Sequence, residues 1–207
     1  MSWQHFVVHQ MDYKFTEDWF AQAIPAWKLL RPLMRERKRF LEIGSFEGRS
    51  TVWTVENLLD DGGTITCIDT WSGSTEHHNQ NMVEVEERFD HNQNLLSDRF
   101  PARRVFKVKG PSYNALKSQT YGFDMVYIDG SHHGLDVMTD ACLAWPLLKN
   151  GGFLIFDDYE WMPNLPPAQT PKLAIDTFLT LLDGSYSVFI KSYQVIIKKE
   201  KNDPRGH

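Results

Sequence analysis

Short apolar segments alternate with segments of helical patterning through the middle of this chain, and no other feature constrains the fold as strongly. The strand-like segments are RFLEIG (39–44), TITCID (64–69), RVFKVKG (104–110), FDMVYID (123–129) and FLIFDD (153–158). The helical segments between them are 49–60, 80–98, 112–118 and 134–150. Strands that are joined by helical crossovers form a parallel sheet with helices on both faces. The sequence therefore predicts an α/β, doubly wound fold.

The last part of the chain predicts a change of strand direction. After one more helical segment (172–182) come two strand-like segments, YSVFIK (186–191) and YQVIIKK (193–199). These two segments are too close together for a helical crossover, so they should pair as an antiparallel hairpin. The complete prediction is a mostly parallel sheet with an antiparallel C-terminal hairpin.

The first part of the chain predicts a helical cap on this sheet. Residues 16–36 have helical patterning, and Pro25 and Pro32 favour two short helices over one straight helix. A length of 207 residues suits one sizeable domain. We therefore expect a single domain over residues 1–207, with 1–37 as its N-terminal cap.

Composition excludes several classes of function. The formal net charge is −5, which gives no overall basic field for binding nucleic acid. No window approaches the roughly 20 apolar residues of a membrane span, and the N-terminus has no signal-peptide pattern. Cys67 and Cys142 lie far apart in apolar segments, which is typical of reduced, buried thiols. We expect a cytoplasmic protein.

A glycine-containing turn after the first strand indicates a ligand site. In LEIGSFEGRST, Gly44 and Gly48 lie between a strand and a helix, and Glu42 precedes them. Glycines permit close backbone approach, and free amides at a helix start form a polar cradle. The spacing is not the one that binds a pyrophosphate. Asp69, at the end of the second strand, can accept hydrogen bonds from both hydroxyls of a ribose. Together these features predict a nucleoside-containing cofactor without a diphosphate.

Several segments, in their order, carry a resemblance to a known family. They are FLEIGSFEGRST, CIDTW, FDMVYIDGSHH, LLKNGGFLIFDDY and PKLAIDTFL. The chain resembles the class I S-adenosylmethionine-dependent methyltransferases over about residues 38–199, and most closely the branch that includes sugar and macrolide O-methyltransferases. The resemblance implies a Rossmann-like sheet of seven strands, with S-adenosylmethionine as the cofactor.

The resemblance also implies which residues bind that cofactor. They are Glu42, Gly44, Ser45, Phe46, Asp69, Thr70, Trp71, Ser112 and Asp129. The glycine turn would hold the methionine part, Asp69 the ribose, and Ser112 would lie near the adenine. Trp71 is equally well interpreted as a packed anchor of its loop.

Three acids follow neighbouring strands and predict a metal site. Asp129 ends the fourth strand, and Asp157 and Asp158 end the fifth. Their carboxylates should meet above the sheet and repel one another unless a cation lies between them. Acids at these strand ends bind Mg²⁺ in the sugar and catechol methyltransferases that the chain resembles. The alternative is that Asp157 or Asp158 only caps a turn.

His132, three residues after Asp129, is the candidate general base. A neutral imidazole can remove the proton of an acceptor hydroxyl at physiological pH. Asp129 and His132 are therefore the predicted catalytic residues, whereas His133 is expected to be structural. The alternative for His132 is a loop histidine that packs near the cofactor.

Two polar loops, 72–82 and 160–170, should cover the acceptor. His77, His78 and Trp161 are candidate contacts, or simply exposed loop residues. The predicted activity is metal-assisted O-methylation of a small hydroxylated acceptor such as a sugar or glycosylated metabolite. The alternatives are metal-independent N- or O-methylation and a non-catalytic cofactor-binding module. The small cap leaves room for a homo-oligomer to complete the acceptor site.

Overall fold

The structure is a computed structural model that describes residues 12–34, 36, 38–73 and 79–201. Within these residues seven strands form one sheet, in the order β3-β2-β1-β4-β5-β7-β6. The strands are β1 (Arg39–Ile43), β2 (Thr64–Asp69), β3 (Arg104–Lys109), β4 (Phe123–Ile128), β5 (Leu148–Phe156), β6 (Tyr186–Lys191) and β7 (Val195–Lys199). Strands β1 to β5 are parallel, and β7 is antiparallel to both β5 and β6. The predicted fold is confirmed.

Helices cover both faces of the sheet. They are α1 (Ile24–Leu30), α2 (Arg49–Asn57), α3 (Met82–Arg99), α4 (Ser112–Lys117), α5 (Gly134–Ala144) and α6 (Pro171–Leu181). Residues of α1, α2 and α3 share one buried apolar cluster with the sheet, and residues of α4, α5 and α6 share the other. Strand β4 is buried at every residue, as expected of a central strand that is covered on both sides. No helix in the described ranges has the length and apolar character needed to cross a lipid bilayer.

Prolines move several boundaries away from their predicted positions. The N-terminal region contains a 3-10 helix at Trp19–Ala23, then α1, then a second 3-10 helix at Arg31–Leu33. Pro25 lies in the first turn of α1, where a missing amide costs nothing. The helix predicted over 134–150 ends at Ala144, because a 3-10 turn containing Pro146 leads directly into β5. Cys67 is buried as predicted, but Cys142 is exposed.

The strand register brings the functional segments to one edge of the sheet. Ile43 of β1 pairs with Ile68 of β2 and Ile128 of β4, and Ile128 pairs with Phe156 of β5. The strands therefore end level with one another. The backbone ladder continues past their ends, because the amide of Asp129 donates to the carbonyl of Ile43 at 2.8 Å. Ligand sites in open parallel sheets lie at this carboxyl edge.

Gly44 permits the close approach of β1 and β4 at that edge. Its φ is +85°, and a Cβ atom added there would lie 1.9 Å from the carbonyl oxygen of Asp129. The glycine is therefore required by the protein backbone itself, before any ligand is considered.

We predict that Gly44→Ala lowers the free energy of unfolding by about 2–5 kcal/mol, the sum of a left-handed backbone cost and of overpacking. Gly184 is the matched control, because its φ is +81° and nothing lies within 4 Å of an added Cβ. Gly184→Ala should cost only the backbone part, about 1–2 kcal/mol. Denaturant unfolding measures both values, and equal losses at the two glycines would contradict the close-approach argument.

Candidate active site

A cavity of about 670 Å³ opens along the carboxyl edge of the sheet. Most of the predicted site residues line it, namely Gly44, Phe46, Asp69, Thr70, Ser112, Asp129, His132, Asp157, Asp158 and Trp161. Trp19, Phe20 and Gln22 of the N-terminal cap also contribute to its wall. His77 and His78 lie outside the described residues. The side chain of His133 is exposed, and its backbone carbonyl accepts hydrogen bonds from the first turn of α5.

Asp69 organises the glycine turn. Its Oδ2 accepts hydrogen bonds from the amides of Ser45 and Phe46, both at 2.9 Å, and its Oδ1 accepts one from the amide of Trp71 at 2.7 Å. Phe46 and Trp71 have φ values of 48° and 46°, which residues other than glycine rarely adopt. Three amide hydrogen bonds to one carboxylate hold this backbone in place. A carboxylate offers about four acceptor positions, so Asp69 can still accept from a ligand.

Trp71 is the anchor of its loop. Only 4% of it is exposed, its ring packs on Phe89 with centroids 4.9 Å apart, and its Nε1 donates to the carbonyl of Phe46 at 2.8 Å. Trp71 does not line the cavity, which favours the packing alternative over the predicted cofactor contact. Ser45 also does not line the cavity with its side chain; it contributes its amide to Asp69.

Glu42 lies beneath the turn and does not line the cavity. It is buried, and its carboxylate accepts hydrogen bonds from the hydroxyls of Ser50, at 2.5 Å, and Thr51. Burial raises the pKa of Glu42, and these hydroxyls partly oppose that effect. In the structure the acid ties β1 to the first turn of α2, and its predicted part in holding the methionine part of the cofactor stays a prediction. The sequence showed the acid but not which face of β1 it occupies.

Asp157 lines the cavity and also accepts hydrogen bonds from residues of the core. Tyr127 donates its hydroxyl to Asp157 and to Asp129, at 2.8 Å in the second case, so its single proton serves one acid at a time. Gln194 donates to Oδ2 of Asp157 at 2.8 Å, and the amide of Asp158 donates to its Oδ1 at 2.8 Å. Both oxygens of Asp157 therefore have donors within the protein.

Asp158 is in direct contact with His132 in the wall of the cavity. His132 Nε2 and Asp158 Oδ2 are 2.7 Å apart, and the hydroxyl of Tyr193 donates to Asp158 Oδ1 at 2.8 Å. The ring of His132 also packs against Trp161, with centroids 4.3 Å apart. Asp158 has a φ of 58°, a backbone conformation that residues other than glycine rarely adopt.

The group of potential metal ligands differs from the predicted one. One ligand atom each from Asp129, His132 and Asp158 lie within 4.8 Å of one another, whereas Asp157 is not part of this group. Asp157, the third acid of the predicted set, lines the same cavity and accepts hydrogen bonds from Tyr127 and Gln194, so its part in a metal site stays a prediction. Carboxylate oxygens with one imidazole form a donor set suited to a divalent cation.

The charges of the acids explain why a cation would be stabilised here. Burial raises the pKa of Asp129 well above its ordinary value, and repulsion by Asp157 and Asp158 adds to this. Burial and the charge of Asp158 raise the pKa of Asp157 as well. A positive ion near these carboxylates would lower the free energy of their charged forms.

Asp140 on α5 is a cavity residue that the sequence interpretation missed. Only 3% of it is exposed, and it lines the cavity together with Ser112. Burial and the nearby charge of Asp136 raise the pKa of Asp140 to about 6, against the effect of Ser112. A sequence signal existed, because Asp140 lies on the same helical stripe as the buried Val137 and Ala144.

Comparison with known proteins identifies the family. Residues 41–159 match the methyltransferase domain family. The chain belongs to this methyltransferase family. Its fold and motifs are those of the class I, S-adenosylmethionine-dependent methyltransferases, which confirms the resemblance seen in the sequence.

Two curated proteins are similar to part of this methyltransferase. An uncharacterised protein of Acanthamoeba polyphaga mimivirus is 27% identical over 158 residues, which is 72% of this chain and 63% of that protein. The O-methyltransferase hkm8 of Aspergillus hancockii is 24% identical over 133 residues, which is 64% of this chain and 47% of that protein. The chain thus spans less than two thirds of the length of these relatives.

Solved structures share the fold at low sequence identity. The O-methyltransferase TomG of Streptomyces achromogenes has a TM-score of 0.61 at 20% identity, over 85% of this chain and 80% of that chain. An O-methyltransferase of Bacillus cereus has a TM-score of 0.61 at 18% identity, over 91% and 84%. The MycE methyltransferase of the mycinamycin biosynthetic pathway has a TM-score of 0.58 at 17% identity, over 94% and 53%.

We predict that Asp140→Asn stabilises the protein in a pH-dependent manner. The folded-state pKa of about 6 lies above the ordinary value of 3.8, so the folded state binds the proton more tightly. Wild-type stability should therefore fall as pH rises from about 4 to about 6, by up to about 3 kcal/mol from this group. Denaturant unfolding should show a more stable variant at pH 7.5 and nearly equal stabilities at pH 4. If the variant and the wild type differed in free energy of unfolding by the same amount at both pH values, the raised pKa of Asp140 would be contradicted.

Proposed function

We propose that this methyltransferase transfers a methyl group from S-adenosylmethionine to a hydroxyl oxygen of a small acceptor, with the help of a divalent cation such as Mg²⁺. A sugar or a glycosylated metabolite is the acceptor class that we favour. One observation carries the proposal: Asp129, His132 and Asp158 converge in the same cavity that reaches the glycine turn and Asp69. The cavity therefore combines a candidate cation site, a candidate base and a nucleoside site.

Ligands bound to the similar structures support this proposal. The TomG structure is a complex with S-adenosylmethionine, and the Bacillus cereus structure is a complex with S-adenosylhomocysteine. The MycE structure contains Mg, S-adenosylhomocysteine and mycinamycin VI. The relative hkm8 is named an O-methyltransferase.

The chain offers a binding surface for each part of the cofactor. When bound, S-adenosylmethionine supplies a methyl group activated by a positively charged sulfur. The turn that begins at Gly44 offers space for the methionine part, and Asp69 offers remaining acceptor positions for the ribose hydroxyls. The buried acids nearby give the cavity a negative character that favours a cationic ligand.

Asp129 and Asp158 are the residues that would hold the cation, and the ring of His132 lies close to both. When bound, the cation lowers the pKa of an acceptor hydroxyl and orients it. Tyr127 and Tyr193 position the two carboxylates by donating to them, at 2.8 Å in each case. These two hydrogen bonds fix the orientation of the carboxylates.

His132 is placed to remove the proton of the acceptor. Its Nε2 contacts Asp158, and Trp161 packs against its ring, so both its position and its orientation are fixed. An imidazole held by a carboxylate can accept a proton and be stabilised as it becomes charged. In this arrangement Asp158 orients the base, and Asp129 contributes to the cation site.

We predict that methyl transfer requires a divalent cation. Removal of metal by a chelator should abolish the release of S-adenosylhomocysteine with hydroxylated acceptors, and Mg²⁺ or Mn²⁺ should restore it. Asp129→Asn and Asp158→Asn should weaken Mn²⁺ binding, measured by calorimetry, by at least about tenfold. Asp61→Asn is the control, because Asp61 is exposed and pairs with Arg103. Full activity in excess chelator would favour metal-independent N- or O-methylation.

We predict that His132→Ala lowers kcat by about 10²–10⁴-fold, since it removes the general base. Binding of S-adenosylhomocysteine should be unchanged, because His132 acts on the acceptor. His133→Ala is the matched control and should leave kcat nearly unchanged, because its side chain is exposed. Titration with Mn²⁺ separates the two roles of His132. If His132 is only the base, His132→Ala keeps the wild-type affinity for Mn²⁺. If His132 is a metal ligand, the variant loses affinity for Mn²⁺. A near-normal kcat for His132→Ala would contradict the base assignment.

A further inference from the structure

The N-terminal cap contributes an exposed tryptophan to the wall of the cavity. Trp19 and Phe20 both line the cavity. Phe20 is 5% exposed and belongs to the core, whereas Trp19 is 54% exposed, and its ring centroid lies 5.1 Å from that of Phe46 in the glycine turn. Core packing explains Phe20 but not Trp19, because a tryptophan that served only the core would be buried. Trp19 therefore offers apolar surface in the cavity wall beside the glycine turn.

The carboxylate of Glu47 binds the glycine turn to the segment before Trp19. Glu47 follows Phe46 in the chain and is 1% exposed. Its Oε2 accepts a hydrogen bond from the amide of Thr16 at 2.6 Å, and its Oε1 accepts from the hydroxyl of Thr16 at 2.7 Å and from Arg88 at 2.5 Å. A buried carboxylate needs such donors, since an unpaired buried charge is costly. The contact between the cap and the turn is therefore charge-assisted.

Asn92 of α3 completes this attachment. It is 1% exposed, and its Oδ1 accepts a hydrogen bond from the amide of Lys14 at 2.8 Å. Its Nδ2 donates to the carbonyl of Lys14 at 2.9 Å and to the carbonyl of Glu47 at 2.8 Å. One side-chain amide thus uses its acceptor and its two donors to join the cap to the turn. We call Glu47 and Asn92 the cap clamp.

We propose that the cap clamp positions Trp19 against the cofactor part of the cavity, so that docking of the cap and binding of the cofactor strengthen each other. This inference rests on the proposed function, because it requires S-adenosylmethionine or its product beside the glycine turn. Trp19 and Phe46 both line the cavity, and a ligand there gains apolar contact with the docked cap. By thermodynamic linkage, the factor by which the docked cap raises cofactor affinity is also the factor by which bound cofactor stabilises the docked cap.

Hydrogen exchange of the wild-type protein tests whether bound ligand stabilises the docked cap. The amides of Lys14 and Thr16 donate to the cap clamp, so their exchange reports the opening of the cap. Saturating S-adenosylhomocysteine should slow the exchange of both amides about tenfold, a typical coupling between two sites. The amide of Lys38 is the control, because it donates to Asp124 at the edge of the sheet away from the cavity. Its exchange should stay nearly unchanged.

Two results of the exchange experiment would overturn the proposal. The first is unchanged exchange at Lys14 and Thr16 in protein saturated with S-adenosylhomocysteine. The second is equal slowing at Lys14, Thr16 and Lys38, because general stabilisation by a bound ligand would then be sufficient.

Calorimetry with S-adenosylhomocysteine tests whether the docked cap raises affinity. Asn92→Leu removes three hydrogen bonds of the clamp with a side chain of similar size, and it should weaken binding about tenfold. Gln93→Leu is the matched control, because the side-chain amide of Gln93, also on α3, donates to the carbonyl of Val105 at 3.0 Å. This control should keep the wild-type affinity.

A folded Asn92→Leu protein with wild-type affinity would overturn the proposal. If this variant does not fold, the exchange experiment on the wild-type protein decides, since it needs no substitution. Wild-type protein that binds no S-adenosylhomocysteine would instead overturn the proposed function, so the two failures are distinguishable.

Discussion

The carboxylates of Asp129, Asp157 and Asp158 carry like charges in a largely buried space, and much of the surrounding structure serves to stabilise them. Tyr127 lies in the core between the first two acids and donates to them. Gln194, in the C-terminal hairpin, donates to Asp157 and accepts from the indole of the buried Trp27 at 2.9 Å. Buried charges must find such partners, because an unpaired one would cost several kcal/mol. The N-terminal cap and the hairpin are therefore part of the support of the site.

The geometry of the site depends on strand register and on a few strained residues. The level ends of β1, β4 and β5 bring Gly44, Asp129 and Asp157 to one edge. Phe46 and Asp158 have positive φ values at this edge, and each is held there by hydrogen bonds of its backbone amide to a carboxylate. Strain of this kind persists only where surrounding contacts determine it, and it concentrates at functional sites. The backbone here is fixed before a ligand arrives.

The parts of the fold that depend on periodicity could be predicted from the sequence. Alternating strands and helices, and a terminal hairpin too short for a crossover, lead to the observed sheet. Acids after strands β4 and β5 likewise had to meet. The directions of side chains could not be predicted, because they depend on tertiary contacts: Glu42 points into the α2 side of the core, and Asp157 binds Tyr127. The positive φ of Asp158 also depends on tertiary contacts, and composition does not reveal it.

Buried acids at the two edges of the sheet show how position determines their use. Asp124, at the start of β4, accepts from the amides of Lys38 and Arg39 and from Lys149, at distances of 2.9–3.1 Å. Those contacts occupy its oxygens and tie β4 to β1 at the edge away from the cavity. Asp140, near the opposite edge, is more weakly compensated, and its pKa is raised to about 6. A protein gains nothing for stability from a buried carboxylate with spare acceptor positions. The difference between the two acids therefore lies in their surroundings: Asp124 pairs with a lysine and two amides, whereas burial dominates at Asp140.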